Sequence, residues 1–204
     1  FAVWHQSDGV WANRYVETAS TGWGVAQLVG AGSAYHPAVA CDPSGNAMVV
    51  WEQPGSIRAI RYDVSSGWGA PTVVDSTLAA TNADVGLDAD GYAIAVWMRK
   101  DSVTYDIYAA RYVPGSGWGA AEAIESEAGG TQTPRIAVGS TGEAVAVWAE
   151  FTLTGYHIKS NRYDPGSGWA NPVQVDEGSG DSLIPGIALG GSLLTSYAKP
   201  RVGL

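Results

Sequence analysis

The sequence is poor in cysteine, in basic residues and in long apolar runs, and each shortage excludes a class of protein. The single cysteine, Cys41, excludes an internal disulfide framework and a cysteine-based zinc site. No apolar run reaches the ~18 residues of a membrane-spanning helix, so we expect no membrane insertion. Only 11 Lys and Arg stand against 20 Asp and Glu, for a net charge of -9. Nucleic acids bind positive surfaces, so a nucleic-acid partner is not expected.

Residues that favour helices are also scarce, whereas residues typical of strands and tight turns are abundant. The chain has 2 Met and 2 Phe, but 27 Gly, 9 Trp and 10 Tyr. Aromatic and β-branched residues favour strands, and glycine supplies the tight turns between them. The composition predicts an all-β protein.

Internal repetition is the strongest feature of the sequence. The segments NAMVVWEQ, YAIAVWMR and EAVAVWAE share one pattern, and the N-terminal FAVWHQ is a shortened copy. Their tryptophans lie 47, 46 and 51 residues apart: Trp4, Trp51, Trp97 and Trp148. An Arg-Tyr pair and a Gly-Trp pair recur in the same four units. The units span residues 1–30, 35–76, 82–127 and 133–177, and a partial fifth unit spans 184–199.

Each unit divides into four short strands, A to D, joined by glycine-centred turns. Four antiparallel strands in each 40–50 residues are typical of a β-propeller blade. We therefore expect a single β-propeller domain, residues 1–204, of about four blades plus partial terminal strands. Strand A of the first unit is missing, and Pro185–Leu189 resembles an extra one. Either this segment closes the ring beside the first unit, which we favour, or the chain is an excerpt of a longer array.

The connection between strands B and C varies in length, whereas the other spacings within a unit stay nearly constant. Trp51 and Arg61 are 10 residues apart, but Trp97 and Arg111 are 14. Variable loops on a rigid scaffold commonly carry binding sites. The candidate binding residues on this face are Gln6, Trp11, Gln53, Arg99, Tyr105, Glu150, Tyr156 and His157.

The repeated tryptophans suggest carbohydrate binding, because the apolar face of a sugar stacks on an indole. The four tryptophans of strand B are better explained as wedges between neighbouring blades. The Gly-Trp tryptophans begin the outer strand and could border a groove between blades. They complete the candidate ligand-binding set: Trp23, Trp68, Trp118 and Trp169.

The sequence carries no motif of an enzyme, and we predict a protein without catalytic activity. It has no nucleophile elbow, no phosphate-binding loop and no HExxH motif. Asp88-Ala-Asp90-Gly91 resembles the start of a calcium loop, but the remaining ligands are missing and the other repeats place ordinary turns there. We expect no cofactor, with calcium at this turn as the alternative.

The G-x-A-x-x-x-W strand, the R-Y strand and the GSGWG turn together resemble the tandem β-propeller repeats of secreted and surface-attached bacterial proteins. The resemblance covers the whole chain. More loosely, the chain is similar to lectin propellers of the tachylectin and fucose-lectin type, which bind sugars between blades. Asp42-Pro-Ser-Gly45 approaches the Asp-box of sialidase propellers but lacks its leading residues and nearby tryptophan.

The resemblance implies an extracellular or cell-surface binding module whose ligand is a glycan or a protein. Two alternatives stay open. One is a structural module that self-associates through its terminal blade edges, because unpaired strands recruit other strands. The other is a hydrolase with a pocket at the propeller axis. A lectin predicts chemically similar pockets at several blade junctions.

Overall fold

The computed structural model describes residues 1–17, 22–100, 103–125, 129–177 and 180–189. Within these ranges the chain forms strands and turns but no helix, and so no helix able to cross a membrane. The strands build four antiparallel sheets, one after another along the chain. The prediction of an all-β protein is confirmed.

Sheet 1 has three strands, and sheets 2, 3 and 4 have five each. Sheet 1 consists of β1 (Ala2–Gln6), β2 (Gly9–Asn13) and β3 (Gln27–Ala31). Sheet 2 consists of β4 (Tyr35–Cys41), β5 (Ala47–Gln53), β6 (Ser56–Asp63), β7 (Gly67–Trp68) and β8 (Thr72–Asp75). Sheet 3 consists of β9 (Ala80–Leu87), β10 (Ala93–Arg99), β11 (Asp106–Val113), β12 (Gly117–Trp118) and β13 (Glu122–Ala123). Sheet 4 consists of β14 (Thr131–Val138), β15 (Ala144–Thr152), β16 (Gly155–Asp164), β17 (Gly168–Trp169) and β18 (Val173–Gln174).

The outer edge of sheets 2 to 4 differs from the single strand D that the sequence predicts. In sheet 2 both β7 and β8 pair with β6, so the edge is split in two. Gly67 adopts a positive φ of 83°, which turns the chain so that Trp68 lies opposite Tyr62. The two rings meet edge to face, with centroids 5.1 Å apart. The tyrosine of the Arg-Tyr pair therefore holds the tryptophan of the Gly-Trp pair.

The turn between strands A and B is fixed by an aspartate in two of the three repeats. Asp42 accepts hydrogen bonds from the backbone N–H and the side-chain amide of Asn46, at 2.9 and 2.7 Å. Asp88 accepts from the backbone N–H groups of Asp90 and Tyr92, at 3.0 and 2.8 Å. These bonds satisfy backbone donors inside the turn.

Strand A of each complete sheet carries a bulge at one repeated position. The residue before Pro37, Ala83 or Pro134 adopts a positive φ, and the pairing with strand B shifts register there. The positive φ values are 48° at His36, 53° at Asn82 and 50° at Thr133.

The core lies between successive sheets, and tryptophan fills each junction. Trp51 of sheet 2 packs with Val10 and Val29 of sheet 1. Trp97 and Trp148 fill the next two junctions in the same way, and all three indoles are at most 1% exposed. A layered core of this kind explains why strands A and B read as runs of Ala, Val and Ile. The described structure thus agrees with the wedge role predicted for these tryptophans.

The extra strand predicted at Pro185–Leu189 is not formed. Residues 180–189 contain no strand, and β1 pairs with β2 alone among the described residues. An extended segment needs a neighbour for its backbone groups before it can join a sheet, and Pro185–Leu189 has no strand beside it here. The rest of the partial fifth unit, residues 190–199, lies outside the described residues.

Candidate binding grooves

The candidate residues divide between the two ends of the sheets. The loop end carries the β5–β6, β10–β11 and β15–β16 connections, and the turn end carries the Asp42 and Asp88 turns and the Gly-Trp pairs. Eight candidates lie at or near the loop end, as the sequence predicts: Gln6, Trp11, Gln53, Arg99, Tyr105, Glu150, Tyr156 and His157. Four lie at the turn end: Trp23, Trp68, Trp118 and Trp169.

The turn end has a groove between sheets 1 and 2, which we call groove 1. It has a volume of about 230 Å³, and its walls include Arg14, Tyr62 and Trp68. Arg14 Nη1 donates to the Tyr62 hydroxyl at 3.2 Å, and its guanidinium carbon lies 5.5 Å from the centre of that ring. The arginine comes from sheet 1 and both aromatic rings from sheet 2, so the groove exists only where the two sheets meet.

The same set of residues recurs between sheets 2 and 3, in groove 2. This groove has a volume of about 340 Å³, and its walls include Arg61, Tyr112 and Trp118. The Arg61 guanidinium carbon lies 5.8 Å from the centre of the Tyr112 ring, and Nη1 donates to the Gly91 carbonyl at 2.8 Å. The two grooves share position and the Arg, Tyr and Trp side chains, whereas Asp63 of groove 2 is replaced by Val16 in groove 1.

Groove 2 also presents polar groups that a ligand could use. The indole Nε1 of Trp118 is buried and has no hydrogen-bond partner in the protein. Asp63 lines the groove, and a hydrogen bond from the Ser65 hydroxyl, supported by the Ser65 and Ser66 backbone N–H groups, lowers the pKa of its carboxyl. The buried Nε1 is not reached from the groove, so groove 2 offers the Arg61 guanidinium as a donor and the Asp63 carboxylate as an ionised acceptor beside an aromatic wall.

The junction between sheets 3 and 4 departs from this pattern. Trp169 and Tyr163 keep their edge-to-face contact, with centroids 5.4 Å apart. Arg111, however, lies over Tyr92 of its own sheet, 4.3 Å from the ring centre. Trp23 packs edge to face on Tyr15 and is 42% exposed. Two of the four Gly-Trp tryptophans, Trp68 and Trp118, are thus brought together with an arginine of the neighbouring sheet.

At the loop end, a cleft of about 830 Å³ lies beside the β15–β16 hairpin and contains Glu150 and His157. His157 is buried, and its Nε2 lies 2.8 Å from the Thr154 hydroxyl, while its Nδ1 lies 3.2 Å from Asp176 Oδ2. Glu150 Oε2 accepts from Trp148 Nε1 at 3.0 Å. Sequence reasoning missed Phe151, Thr152, Thr154 and Gln174, which also line the cleft. The length of the β15–β16 hairpin could have indicated Phe151, Thr152 and Thr154, whereas no signal in the sequence indicates Gln174, which lies in β18.

A second cleft at the loop end, of about 380 Å³, brings Tyr105 and Tyr156 together across sheets 3 and 4. The Tyr156 hydroxyl accepts a hydrogen bond from Gln132 Nε2 at 2.8 Å. The pairing of Tyr105 with Tyr156 follows from the four extra residues in both B–C connections, which carry these side chains towards the same junction.

The other loop-end candidates make contacts within the scaffold or face solvent. The Arg99 guanidinium carbon lies 3.4 Å from the centre of the Tyr108 ring, and Nη1 lies 3.5 Å from Asp75 Oδ2. Trp11 Nε1 donates to Asp8 at 2.8 Å, closing the β1–β2 turn. Gln6 is exposed and Gln53 is half-buried at the ends of β1 and β5.

Asp88, which the sequence suggested as a calcium ligand together with Asp90, has a different role in the structure. Its carboxylate serves the turn by accepting backbone hydrogen bonds, and burial raises its pKa. In the described part of the chain, no three His, Cys, Asp or Glu side chains come together as a metal site.

Comparison with known proteins finds no match among protein-family models or curated protein sequences. A crystal structure of a protein of unknown function from Dyadobacter fermentans DSM 18053 is similar over 74% of this chain, with 12% identity and a TM-score of 0.55. This chain spans 54% of that protein. An intramolecular trans-sialidase from Ruminococcus gnavus (TM-score 0.45, 12% identity) matches 70% of this chain and 34% of its own. A fungal alcohol oxidase of the AA5 family (TM-score 0.39, 15% identity) matches 66% of this chain and 29% of its own. The first likeness supports an all-β, multi-sheet fold.

Proposed function

We propose that this chain is a non-enzymatic carbohydrate-binding module of an extracellular or cell-surface protein, built as blades of a β-propeller. The observation that carries the proposal is the recurrence of one groove at two junctions, with Arg14, Tyr62 and Trp68 in groove 1 and Arg61, Tyr112 and Trp118 in groove 2. A lectin of repeated blades is expected to show such similar sites.

The propeller architecture is supported by the packing of the four sheets. Each sheet is an antiparallel meander, and each junction buries the strand-B tryptophan of the later sheet against the earlier one. Strands β4, β9 and β14, the first of their sheets, contact one another in succession, as inner strands around an axis do.

The chemistry of groove 2 suits a sugar. The C–H face of a pyranose packs on an aromatic surface, which Trp118 and Tyr112 supply. Its hydroxyls need both donors and acceptors, and the Arg61 guanidinium and the Asp63 carboxylate provide one of each. A groove of this size makes few contacts, so we expect weak binding at each site. Two sites on one rigid chain raise the avidity for a surface with many glycans.

The test is a glycan-array screen of the purified chain, followed by titration of the best glycan against two variants. Trp118→Phe makes the aromatic wall of groove 2 smaller, and we expect a loss of about 3- to 10-fold in affinity there, because an aromatic contact contributes about 0.5–1.5 kcal/mol. Trp169→Phe is the matched control, because Trp169 makes the same contact with its tyrosine but lies at the junction whose arginine stacks elsewhere. It should bind like the wild type.

A blank array would contradict the carbohydrate proposal. The alternative is then a protein ligand at the cleft beside the β15–β16 hairpin, where Phe151 is 52% exposed and Leu153 is fully exposed. The array is run with calcium and again with EDTA, and a loss of binding in EDTA would indicate a calcium-dependent site, for which the Asp88 turn is the candidate.

A further inference from the structure

Each junction between sheets has two complementary faces. The later sheet contributes the strand-B tryptophan, and the earlier sheet contributes an apolar residue from its outer edge. Val74 of sheet 2 and Ile124 of sheet 3 fill this second role and are 9% and 3% exposed. At the junction of sheets 2 and 3, Trp97 Nε1 also donates to Asp75 of the earlier sheet at 2.8 Å.

In the part of the chain that the structure describes, sheets 1 and 4 each have one of these faces uncovered. Trp4 occupies the same position as Trp97 but is only half-buried, because no earlier sheet covers it among the described residues. Val175 occupies the position of Ile124, since both backbone N–H groups donate to the equivalent carbonyl of strand C, yet it is 57% exposed. Asp176 follows Val175 as Asp75 follows Val74. The open face of sheet 4 therefore has the residues that receive a tryptophan.

The segment Pro185–Leu189 begins with the same backbone feature as strand A of the other sheets, but it is not paired with a strand B among the described residues. Ile184, the residue before Pro185, has a φ of 57°, close to the values of 48–53° that mark the strand-A bulge in the other three sheets. The residues just before this segment are held against β16: Asp181 accepts a hydrogen bond from the Tyr156 N–H at 2.9 Å, and the Ser182 N–H donates to the Tyr156 carbonyl at 2.8 Å. Among the described residues, however, the segment pairs with no strand, and one edge of β1 has no neighbouring strand.

We propose that copies of this chain associate head to tail. The open face of sheet 4 of one copy packs on sheet 1 of a second copy, and Pro185–Leu189 of the first becomes strand A beside β1 of the second. Sheet 1 of the second copy carries the matching face, because its Trp4 would fill the place beside Val175 that Trp97 and Trp148 fill at the junctions within the chain. This contact is heterologous, and strand addition to the edge of β1 completes it.

The register of the new pairing follows from the existing sheets. The residue after the proline pairs with the residue before the tryptophan: Arg135 pairs with Val147, and Ala38 pairs with Val50. Gly186 of one copy should therefore lie opposite Val3 of the other. Backbone pairing supplies the affinity, and the alternating side chains supply the register.

The first experiment measures molar mass by light scattering over a range of concentrations. We expect the wild type to exceed its 21.2 kDa chain mass as concentration rises. Val175→Glu places a charge in the proposed interface and should leave a monomer. Val173→Glu is the control, because Val173 is exposed and sheet 3 carries Glu122 at the equivalent position. It should associate like the wild type. A wild type that stays monomeric, or a Val175→Glu variant that associates equally well, would overturn the proposal.

A second experiment tests which copy supplies the strand. In a Cys41→Ser background, Val3→Cys and Gly186→Cys are combined and oxidised, since the Gly186 position has open space for a side chain. Covalent dimers and longer species on a non-reducing gel support pairing between copies. A cross-linked monomer would instead show that the chain closes on itself, and no cross-link would contradict the register. Val3→Cys with Ile187→Cys is the control, because a shift of one residue turns the thiol to the other side of the sheet.

Discussion

Replacement of Trp97 by alanine tests whether the repeated tryptophans hold the sheets together. The indole is fully buried between sheets 2 and 3, and its Nε1 donates to Asp75 at 2.8 Å. A buried tryptophan removes about 150–250 Å² from water, which corresponds to roughly 4–6 kcal/mol at about 25 cal/mol per Å². Partial collapse of the cavity lowers this cost, and the loss of the donor to buried Asp75 adds about 1–3 kcal/mol. We expect Trp97→Ala to lower the free energy of unfolding by about 4–6 kcal/mol.

The assay is urea unfolding followed by far-ultraviolet circular dichroism. Trp97→Phe keeps most of the apolar contact and should cost about 1–3 kcal/mol, so it stays measurable if the alanine variant does not fold. Trp4→Ala, measured at a concentration where the chain is monomeric, is the matched control, because Trp4 occupies the same repeat position but is half-buried in a single chain. It should cost less than half as much as Trp97→Ala. Equal costs at the two positions would refute the wedge role.

Three further changes test local features. Ser65→Ala should raise the pKa of the Asp63 carboxyl towards its ordinary value of 3.8, measured by carboxyl ¹³C NMR; an unchanged pKa would rule out the hydroxyl as the main cause. Since that pKa is lowered in the folded state, its contribution to stability is present above pH 3.8 and lost as pH falls through the folded value. Burial raises the pKa of Asp84, so its ionised form opposes folding, while its carboxylate accepts from the Ile136 N–H. Asp84→Asn, which can keep that bond, should be at least as stable as the wild type at pH 7, and the difference should vanish in acid; a large loss at pH 7 would contradict this. Gly91→Ala should cost about 1–2 kcal/mol in urea unfolding, because φ is +83° and the new Cβ would lie 2.7 Å from an arginine nitrogen; a neutral result would show that the turn can rearrange.

The repeat pattern carried enough information to predict the sheets, because each unit must bury the same apolar faces. The split outer edge was not predicted, since the pairing of Trp68 with Tyr62 depends on the positive φ of Gly67 rather than on alternation of side chains. The fate of Pro185–Leu189 could not be read from its similarity to strand A, because a strand also needs a neighbour.

The candidate sites were harder to predict than the fold, because a groove between sheets combines residues distant in sequence. The repeats identified Trp68 and Trp118 as candidates but not Arg14 and Arg61, although these arginines form the opposite walls of the same grooves. The sequence does not show that Arg111 contacts Tyr92 of its own sheet instead of a tyrosine of the next sheet, because all four Arg-Tyr pairs look alike. Which aromatic ring an arginine contacts is decided by packing.

Calorimetric titration of the best glycan from the array tests most directly whether the repeated grooves bind carbohydrate. Grooves 1 and 2 predict two sites per chain, and Trp118→Phe should weaken one of them while leaving the other unchanged. A single site, or two sites that both ignore Trp118→Phe, would contradict the account.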